Sequence, residues 1–312
     1  MDSSILNTLD QGLILAFAVI GVLLTFRILD FPDLTVEGSF PLGGAVIATL
    51  LVSGMNPWLG IIAAVICGAL AGALTGLLIT ALRINEIIAG IVVAAGMYSV
   101  NLLVMRAPNV NLMGHDTIYS LVLGGLGVPE NSLNRAGVTF VLLSVSVAAL
   151  IWFLNTDLGL TIRAAGANKR MVRALGMNTS VSLILAMMIG NGFVAASGAL
   201  LTQAQGFADV NMGIGTLVAA AASVVIGETI FGRRNLLVWC MGAVAGALIY
   251  QGLLNIGLRL GMPAFYFKGV TAILMVLALY VPTAISQYRQ RHRPFVDEEP
   301  EPVVTTTVGS SL

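Results

Sequence analysis

Few side chains in this sequence could perform catalytic or metal chemistry, and they lie far apart. The 312 residues include two histidines, His115 and His292, and two cysteines, Cys67 and Cys240. Such isolated residues supply neither the ligand set of a metal site nor a histidine acid/base pair. The phosphate-binding run Gly-x-x-x-x-Gly-Lys-Ser/Thr does not occur either. The sequence therefore predicts no enzyme and no cofactor, and any ATP would be bound by a separate subunit.

Other polar residues interrupt apolar sequence, and this pattern is typical of a path through a membrane. An acidic, proline-containing stretch, DFPDLTVEGSFP, follows the first long apolar segment, and single amides interrupt later segments. Such residues are costly in lipid and usually face water or a translocation path. The candidate path residues are Asp33, Glu37, Asn191, Gln203 and Asn211. Two alternatives stay open: the acidic residues lie in a cytoplasmic loop, and the amides only join helices by hydrogen bonds.

The composition requires a membrane around these residues. Hydrophobic residues make up 57% of the chain, charged residues only 10%, and the formal net charge is zero. A soluble domain usually carries about a quarter charged residues, and one spanning helix needs about 20 apolar residues. The lipid bilayer is thus a partner, and no room is left for a large soluble catalytic domain. Nucleic acid is excluded, because it would require a concentrated basic face.

Apolar windows of spanning length predict an all-α, polytopic membrane protein with about nine transmembrane segments. The windows are 11–29, 40–54, 57–81, 86–105, 137–154, 179–204, 207–230, 235–258 and 264–284. The second window is short and follows the proline-containing stretch, so we expect a broken or re-entrant helix there. Segment 106–136 is predicted to be a loop with a short surface helix near 118–126. Residues 1–284 form the transmembrane domain, and 285–312 form a disordered cytoplasmic tail.

The distribution of Lys and Arg predicts the orientation, because positive charge is retained in the cytoplasm. With nine segments, eleven of the 15 basic residues face the cytoplasm, and the C-terminus lies inside while the N-terminus lies outside. The eleven are Arg27, Arg83, Arg163, Lys169, Arg170, Arg173, Arg233, Arg234, Arg289, Arg291 and Arg293.

A short pattern occurs twice in the chain. GALAGAL at 68–74 recurs as GAVAGAL at 242–248, and the predicted topology orients the two copies oppositely. Inverted internal repeats are a hallmark of membrane transporters. The alternative is that small residues at this spacing only let helices approach closely.

The central cytoplasmic loop, 155–178, contains the most informative segment. Asn168 can cap a short helix over 169–175, and Gly176 can end it. The helix separates an apolar face from a basic one: the apolar residues are Met171, Val172 and Leu175, and the basic residues are Lys169, Arg170 and Arg173. Two helical turns are not stable alone, so we expect the helix to dock on something. It is either a docking element or a helix on the membrane surface.

The run IRAAGANKRMVRALGMN, 162–178, resembles the cytoplasmic coupling loop of ABC-importer permeases of the branched-chain amino acid and ribose type. Segments 23–46 and 224–260 resemble the same family, and within it the tryptophan- or tyrosine-type permeases are the most similar. One departure is FGRR at 231–234, where the family commonly has a Gly-Gly pair.

The resemblance implies an importer of a small polar metabolite in the bacterial inner membrane, and the expected cargo is an amino acid, with aromatic amino acids included. It also implies separate ATP-binding cassette subunits, an external substrate-binding protein and a second permease copy, in a homodimer or a heterodimer. The residues that would enter the ATPase cleft are Ala167, Asn168, Lys169, Arg170, Met171, Val172, Arg173, Ala174, Leu175 and Gly176. An ion-coupled carrier or channel, a membrane enzyme and a structural scaffold are the alternatives.

Overall fold

A computed structural model describes residues 3–261 and, beyond them, only Gly269, Ile273 and Val276. Within these residues the regular secondary structure is helical apart from one antiparallel two-stranded ribbon. The helices are α1 (Ser3–Val22), α2 (Val36–Val52), α3 (Pro57–Thr80), α4 (Glu86–Met105), α5 (Ile118–Gly125), α6 (Ser132–Leu154), α7 (Asp157–Ala167), α8 (Lys169–Ala174), α9 (Thr179–Gln205), α10 (Thr216–Phe231) and α11 (Leu236–Arg259). The strands are β1 (Asn109–Asn111) and β2 (Phe207–Asp209).

Six described helices are long and apolar enough to cross a membrane, so the chain is a multi-pass membrane protein. The six are α1 with its π-helical continuation Leu23–Ile28, α3, α4, α6, α9 and α11. Helices α2 and α10 are apolar but shorter, with 17 and 16 residues. The predicted number of nine segments is not confirmed, and most of window 264–284 and the whole tail 285–312 lie outside the described part.

The boundaries of one predicted segment are wrong. Window 207–230 was expected to be helical throughout, but its first residues form β2 and a series of turns. The helix starts only at Thr216, after Gly215, whose φ of 87° is left-handed. Glycine adopts this conformation without the steric cost that other residues have, so the turn interrupts an otherwise apolar run.

Asparagine side chains begin several of the helices. An asparagine side-chain oxygen can accept a hydrogen bond from a backbone N–H that has no partner in the first helical turn. The asparagines that do so are Asn56 before α3, Asn85 before α4, Asn168 before α8 and Asn178 before α9. Local sequence therefore determines where these helices start.

Helices α1 and α9 form the centre of the molecule. In their apolar stretches 78% and 72% of the residues are buried, against 22% in α4 and in α6. Helices α2 and α3 pack directly on α9, whereas α10 and α11 pack on each other and on α1. The exposed apolar faces of α4 and α6 suit contact with lipid.

Four of the basic residues that were predicted to be cytoplasmic share one end of the described helices: Arg27, Arg83, Lys169 and Arg233. Arg27 and Arg233 both pair with Glu228 at the end of α10, at 2.9 Å. Arg83 and Lys169 line one cavity together with Leu29, the residue directly after the π-helical continuation of α1. The ion pair between Arg135 and Asp10, at 3.3 Å, lies at the opposite end. This grouping agrees with the predicted relative sidedness of the loops.

The two copies of the glycine pattern lie on α3 and α11, which run in opposite directions. A Cβ atom on Gly72 would collide with the Met187 carbonyl of α9, and one on Gly246 with the Ser223 carbonyl of α10. Both copies thus allow close helix packing, as the alternative interpretation stated. An inverted duplication stays a prediction.

Candidate functional site

Helix α8 has the local structure that the sequence predicts. Asn168 Oδ1 accepts a hydrogen bond from the backbone N–H of Met171 at 3.0 Å, so the helix starts at Lys169. Leu175 is the C-cap residue of the helix, and Gly176 follows it with a left-handed φ of 79°. Because both ends are fixed by local contacts, this short helix is a well-defined projection between α7 and α9.

The apolar residues of α8 divide between the body of the protein and the solvent. Val172 is buried, with 2% of its surface exposed, and anchors the helix. Met171 is 49% exposed and Leu175 is 72% exposed, followed by the exposed Met177. The apolar face of α8 is therefore divided: Val172 points inward, whereas Met171 and Leu175 are exposed. The exposed residues form an apolar tip that has no partner within the described chain.

The basic residues of α8 also divide. Lys169 Nζ lies 3.4 Å from Glu86 Oε1 of α4 and 6.0 Å from the centroid of the Phe31 ring. Arg173 Nε donates to Thr179 Oγ1 at the start of α9, at 3.0 Å. Of the three, only Arg170 makes neither an ion pair nor a side-chain hydrogen bond with a described residue. Lys169 and Arg173 instead connect α8 to α4, to α9 and to the segment after α1.

The segment between α1 and α2 is the broken element that the sequence predicts. The π-helical turn ends at Ile28, and Asp30 adopts a left-handed φ of 56°. The chain then re-enters the protein, where Asp33 Oδ1 accepts from the Thr35 backbone N–H at 2.9 Å. Asp33 lies in this non-helical segment but not on a solvent-exposed loop, because it is 1% exposed and contacts the middle of α9.

Asn191, near the midpoint of the 27-residue α9, joins this segment to α2. Its Nδ2 donates to Asp33 Oδ2 at 2.6 Å, and its Oδ1 accepts from Ser39 Oγ at 2.7 Å. The hydroxyls of Thr35 and Thr75 lie 2.7 Å apart and extend the contacts to α3. We call this group the Asn191 network: Asp33, Thr35, Ser39, Thr75 and Asn191. All its members are buried and hydrogen-bonded, so it holds the broken element in place.

Glu37 and Asn211 lie apart from this network and line one cavity of about 360 Å³. The Oε1 atom of Glu37 accepts from the Gly215 backbone N–H at the start of α10, at 3.1 Å. We call this space the Glu37 cavity; it is lined by Leu34, Glu37, Gly38, Pro41, Ile91, Ala94, Ala95, Tyr98, Asn101, Val210, Asn211 and Ile214. Asn101 of α4 was missed as a candidate, although it is an amide within an apolar window just as Asn191 is.

Gln203 belongs to neither group. Its Oε1 accepts from the Ile118 backbone N–H at 2.8 Å, which fixes the start of α5. Helix α5 was predicted to be a surface helix, but Ile118 and Tyr119 are fully buried. The prediction failed because Gln203 and the hydroxyl pair of Tyr119 and Thr139, 3.2 Å apart, attach α5 to the bundle.

Glu228 joins three helices at the same end of the bundle as α8. Its Oε2 lies 2.9 Å from Arg27 NH2 and 2.9 Å from Arg233 NH2, and its Oε1 accepts from Trp239 Nε1 at 2.8 Å. In the described part of the chain no three His, Cys, Asp or Glu residues form a group that could hold a metal ion.

Comparison with known proteins identifies a family and several similar proteins. The family model for the branched-chain amino acid transport system permease component matches residues 4–279. A tyrosine transport system permease protein from Clostridioides difficile is 36% identical over 277 residues, 89% of this chain and 90% of the relative. The D-allose permease AlsC and the ribose permease RbsC from Escherichia coli are 27% and 28% identical, over 92% and 89% of this chain and 82% and 85% of the relatives. No solved structure matches significantly. These relatives are transport permeases, not enzymes.

Proposed function

The chain belongs to the family of branched-chain amino acid transport system permease components, and we propose that it is the membrane-spanning subunit of an importer for an amino acid. Permeases of this type work with ATP-hydrolysing and substrate-binding subunits. Here ATP would bind only to the separate ATPase, and an external protein would deliver the cargo. A second permease copy, identical or different, would complete the membrane part in the bacterial inner membrane.

The apolar tip of α8 is the observation that carries the coupling part of this proposal. Met171 and Leu175 are exposed on a helix that Val172 anchors to the body. An apolar tip on a polar end of a membrane protein suits insertion into a cleft of a partner. Residues 167–176 would then dock on the ATPase, which requires this end of the bundle to be cytoplasmic and the N-terminus to lie outside.

The contacts of α8 supply a physical route for coupling. Lys169 contacts Glu86 at the start of α4, and Arg173 contacts Thr179 at the start of α9. Lys169 also lies against Phe31 in the broken element. A displacement of α8 by the ATPase would therefore act on the elements that surround both the Asn191 network and the Glu37 cavity. This gives an alternating-access cycle in which ATP is used outside the chain.

The cargo proposal rests on a relative and on the cavity. The relative with 36% identity carries tyrosine transport in its name, which favours an amino acid and allows an aromatic one. Glu37 and Asn211 would line the translocation path, whereas Asp33 and Asn191 would hold its wall and Gln203 would fix α5. An ion-coupled carrier or channel that works without an ATPase is the alternative.

The test exchanges the exposed tip of α8 for charge. In the Met171→Glu/Leu175→Glu double variant we expect the affinity for the cognate ATPase, measured by co-purification, to fall by about 100-fold. The reason is the loss of two apolar contacts that the ATPase would bury. ATP-driven uptake should fall with it. Met113→Glu/Leu126→Glu is the matched control, since both residues are exposed at the opposite end. If the α8 variant bound the ATPase and transported as the control does, the coupling proposal would be wrong.

A further inference from the structure

The Glu37 cavity lies where the two short apolar helices of the described chain begin. Helix α2 starts at Val36 and α10 at Thr216, and the bond from the Gly215 N–H to Glu37 Oε1 joins their first turns. Both starts lie within the bundle, away from the end that carries α8. Interrupted helices that meet inside a membrane are the usual location of a substrate site in transporters.

One wall of the cavity contains a buried acceptor without a partner. Asn101 is fully buried, and its Oδ1 has no hydrogen-bond partner in the described chain. Its Nδ2 donates to the Gly38 carbonyl at 3.4 Å, next to Glu37 in the chain. Exchanging the two amide atoms would place two oxygens against each other, so this orientation is fixed. Buried polar atoms are rarely left unpaired in native proteins, which points to a ligand atom as the missing partner.

The cavity also carries negative charge that no cation balances. Glu37 forms no ion pair with any described residue, and no Lys or Arg lines the cavity. Only one carboxylate oxygen is used by the Gly215 N–H. Tyr98 lines the same space and is half exposed, so its ring can approach a cation there. A carboxylate, an unpaired amide oxygen and an aromatic ring together suit a donor-rich cation.

From this geometry we infer that the Glu37 cavity recognises a primary ammonium group of the cargo, with Glu37 and Asn101 as its acceptors. This inference rests on the proposed transport function and specifies which chemical group of the cargo the cavity would bind. An ammonium group provides three N–H donors and a positive charge, which match both acceptors at once. A sugar hydroxyl would provide one donor and leave the charge of Glu37 unbalanced. An amino acid carries the required group next to its α-carbon.

Charge-selective labelling of a cysteine in the cavity tests this directly. Ala95 lines the cavity and is exposed, so Ala95→Cys is introduced together with Cys67→Ala and Cys240→Ala. The purified full chain in lipid nanodiscs is treated with three methanethiosulfonates: aminoethyl, trimethylammonium-ethyl and sulfonatoethyl. Each labelling rate is divided by the rate at Ser53→Cys, an exposed position in the turn after α2.

We expect the normalised rates to fall from the aminoethyl to the trimethylammonium and then to the sulfonate reagent. Glu37→Gln keeps the acceptor for Gly215 but removes the charge, so it should reduce the preference for cations over the sulfonate by about 10-fold. Asn101→Leu should remove only the advantage of the aminoethyl reagent over the trimethylammonium one, about three- to ten-fold.

Equal normalised rates for cation and anion, or no labelling at Ala95→Cys, would overturn the inference. So would a preference that both substitutions leave unchanged, because the named acceptors would then not produce it. The labelling requires neither the ATPase nor transport. A failure of the coupling proposal, seen as normal ATPase binding by the α8 variant, would therefore be recognised separately.

Discussion

Two polar groups lie next to each other at the start of α2, and they differ in whether their atoms are paired. In the Asn191 network, Asn191 satisfies Asp33 and Ser39 across three elements, and no cavity adjoins it among those described. In the Glu37 cavity, Asn101 Oδ1 is buried without a partner. A polar residue inside a membrane helix is therefore not by itself a sign of a path. The residue that the protein leaves unpaired is the better indication.

The largest effect on stability is expected in the Asn191 network. Asn191→Leu removes the donor to Asp33 Oδ2 and the acceptor for the Ser39 hydroxyl, and it leaves Asp33 with only its bond from the Thr35 backbone N–H. We expect the free energy of unfolding to fall by about 3 kcal/mol or more, because two buried polar groups, the Asp33 carboxyl and the Ser39 hydroxyl, lose a hydrogen-bond partner. Thermal or denaturant unfolding of the purified chain in detergent measures this. A loss below about 1 kcal/mol would mean that the network does not hold the broken element.

A smaller loss is expected at the edge of the same group. Thr75→Val preserves shape but leaves the Thr35 hydroxyl without its partner at 2.7 Å. The expected cost is about 1–2 kcal/mol, measured in the same unfolding assay. Thr80→Val is the control on the same helix, because the Thr80 hydroxyl contacts only the Gly76 carbonyl of its own helix. Equal losses in both variants would show that the bond between α2 and α3 contributes nothing.

The smallest effect on stability, and one of opposite sign, is expected in the cavity. Asn101→Leu removes an unpaired buried oxygen and loses only the long bond to Gly38. The free energy of unfolding should stay the same or rise by about 1 kcal/mol, while uptake of the cargo should fall. The same amide-to-leucine exchange thus separates the two groups. If Asn101→Leu destabilised the chain as strongly as Asn191→Leu, the distinction between them would be lost.

Features that depend on neighbouring residues could be predicted from the sequence. The α8 cap at Asn168, the turn at Gly176 and the broken segment before α2 all arise from local backbone preferences, and all three are present. The split of the α8 faces could not be predicted, because the burial of Val172 depends on what packs beneath the helix. Periodicity shows which residues share a face, but not which of them meets the protein.

Features that depend on contacts between residues far apart in the sequence could not be predicted. Asn191 meets Ser39 and Asp33 across 152 and 158 residues. The sequence could name Asp33 and Asn191 as candidates, but it could not show that they pair with each other or that Ser39 joins them. The sequence grouped five candidate path residues, and the structure divides them into a paired network, a cavity and one anchor for α5. Asn101 could have been found by treating every amide inside an apolar window alike.

We propose that this chain moves its cargo only when a separate ATPase acts on α8. Proteoliposomes that contain the chain, its cognate ATPase and the binding protein test this dependence on the ATPase. Uptake of radiolabelled L-tyrosine is measured with and without ATP on the side of the membrane where the ATPase is bound. We expect uptake with ATP and all three components, and none when ATP or the ATPase is left out. Uptake of the cargo by the chain alone, driven by an ion gradient or running down its own gradient, would contradict the account.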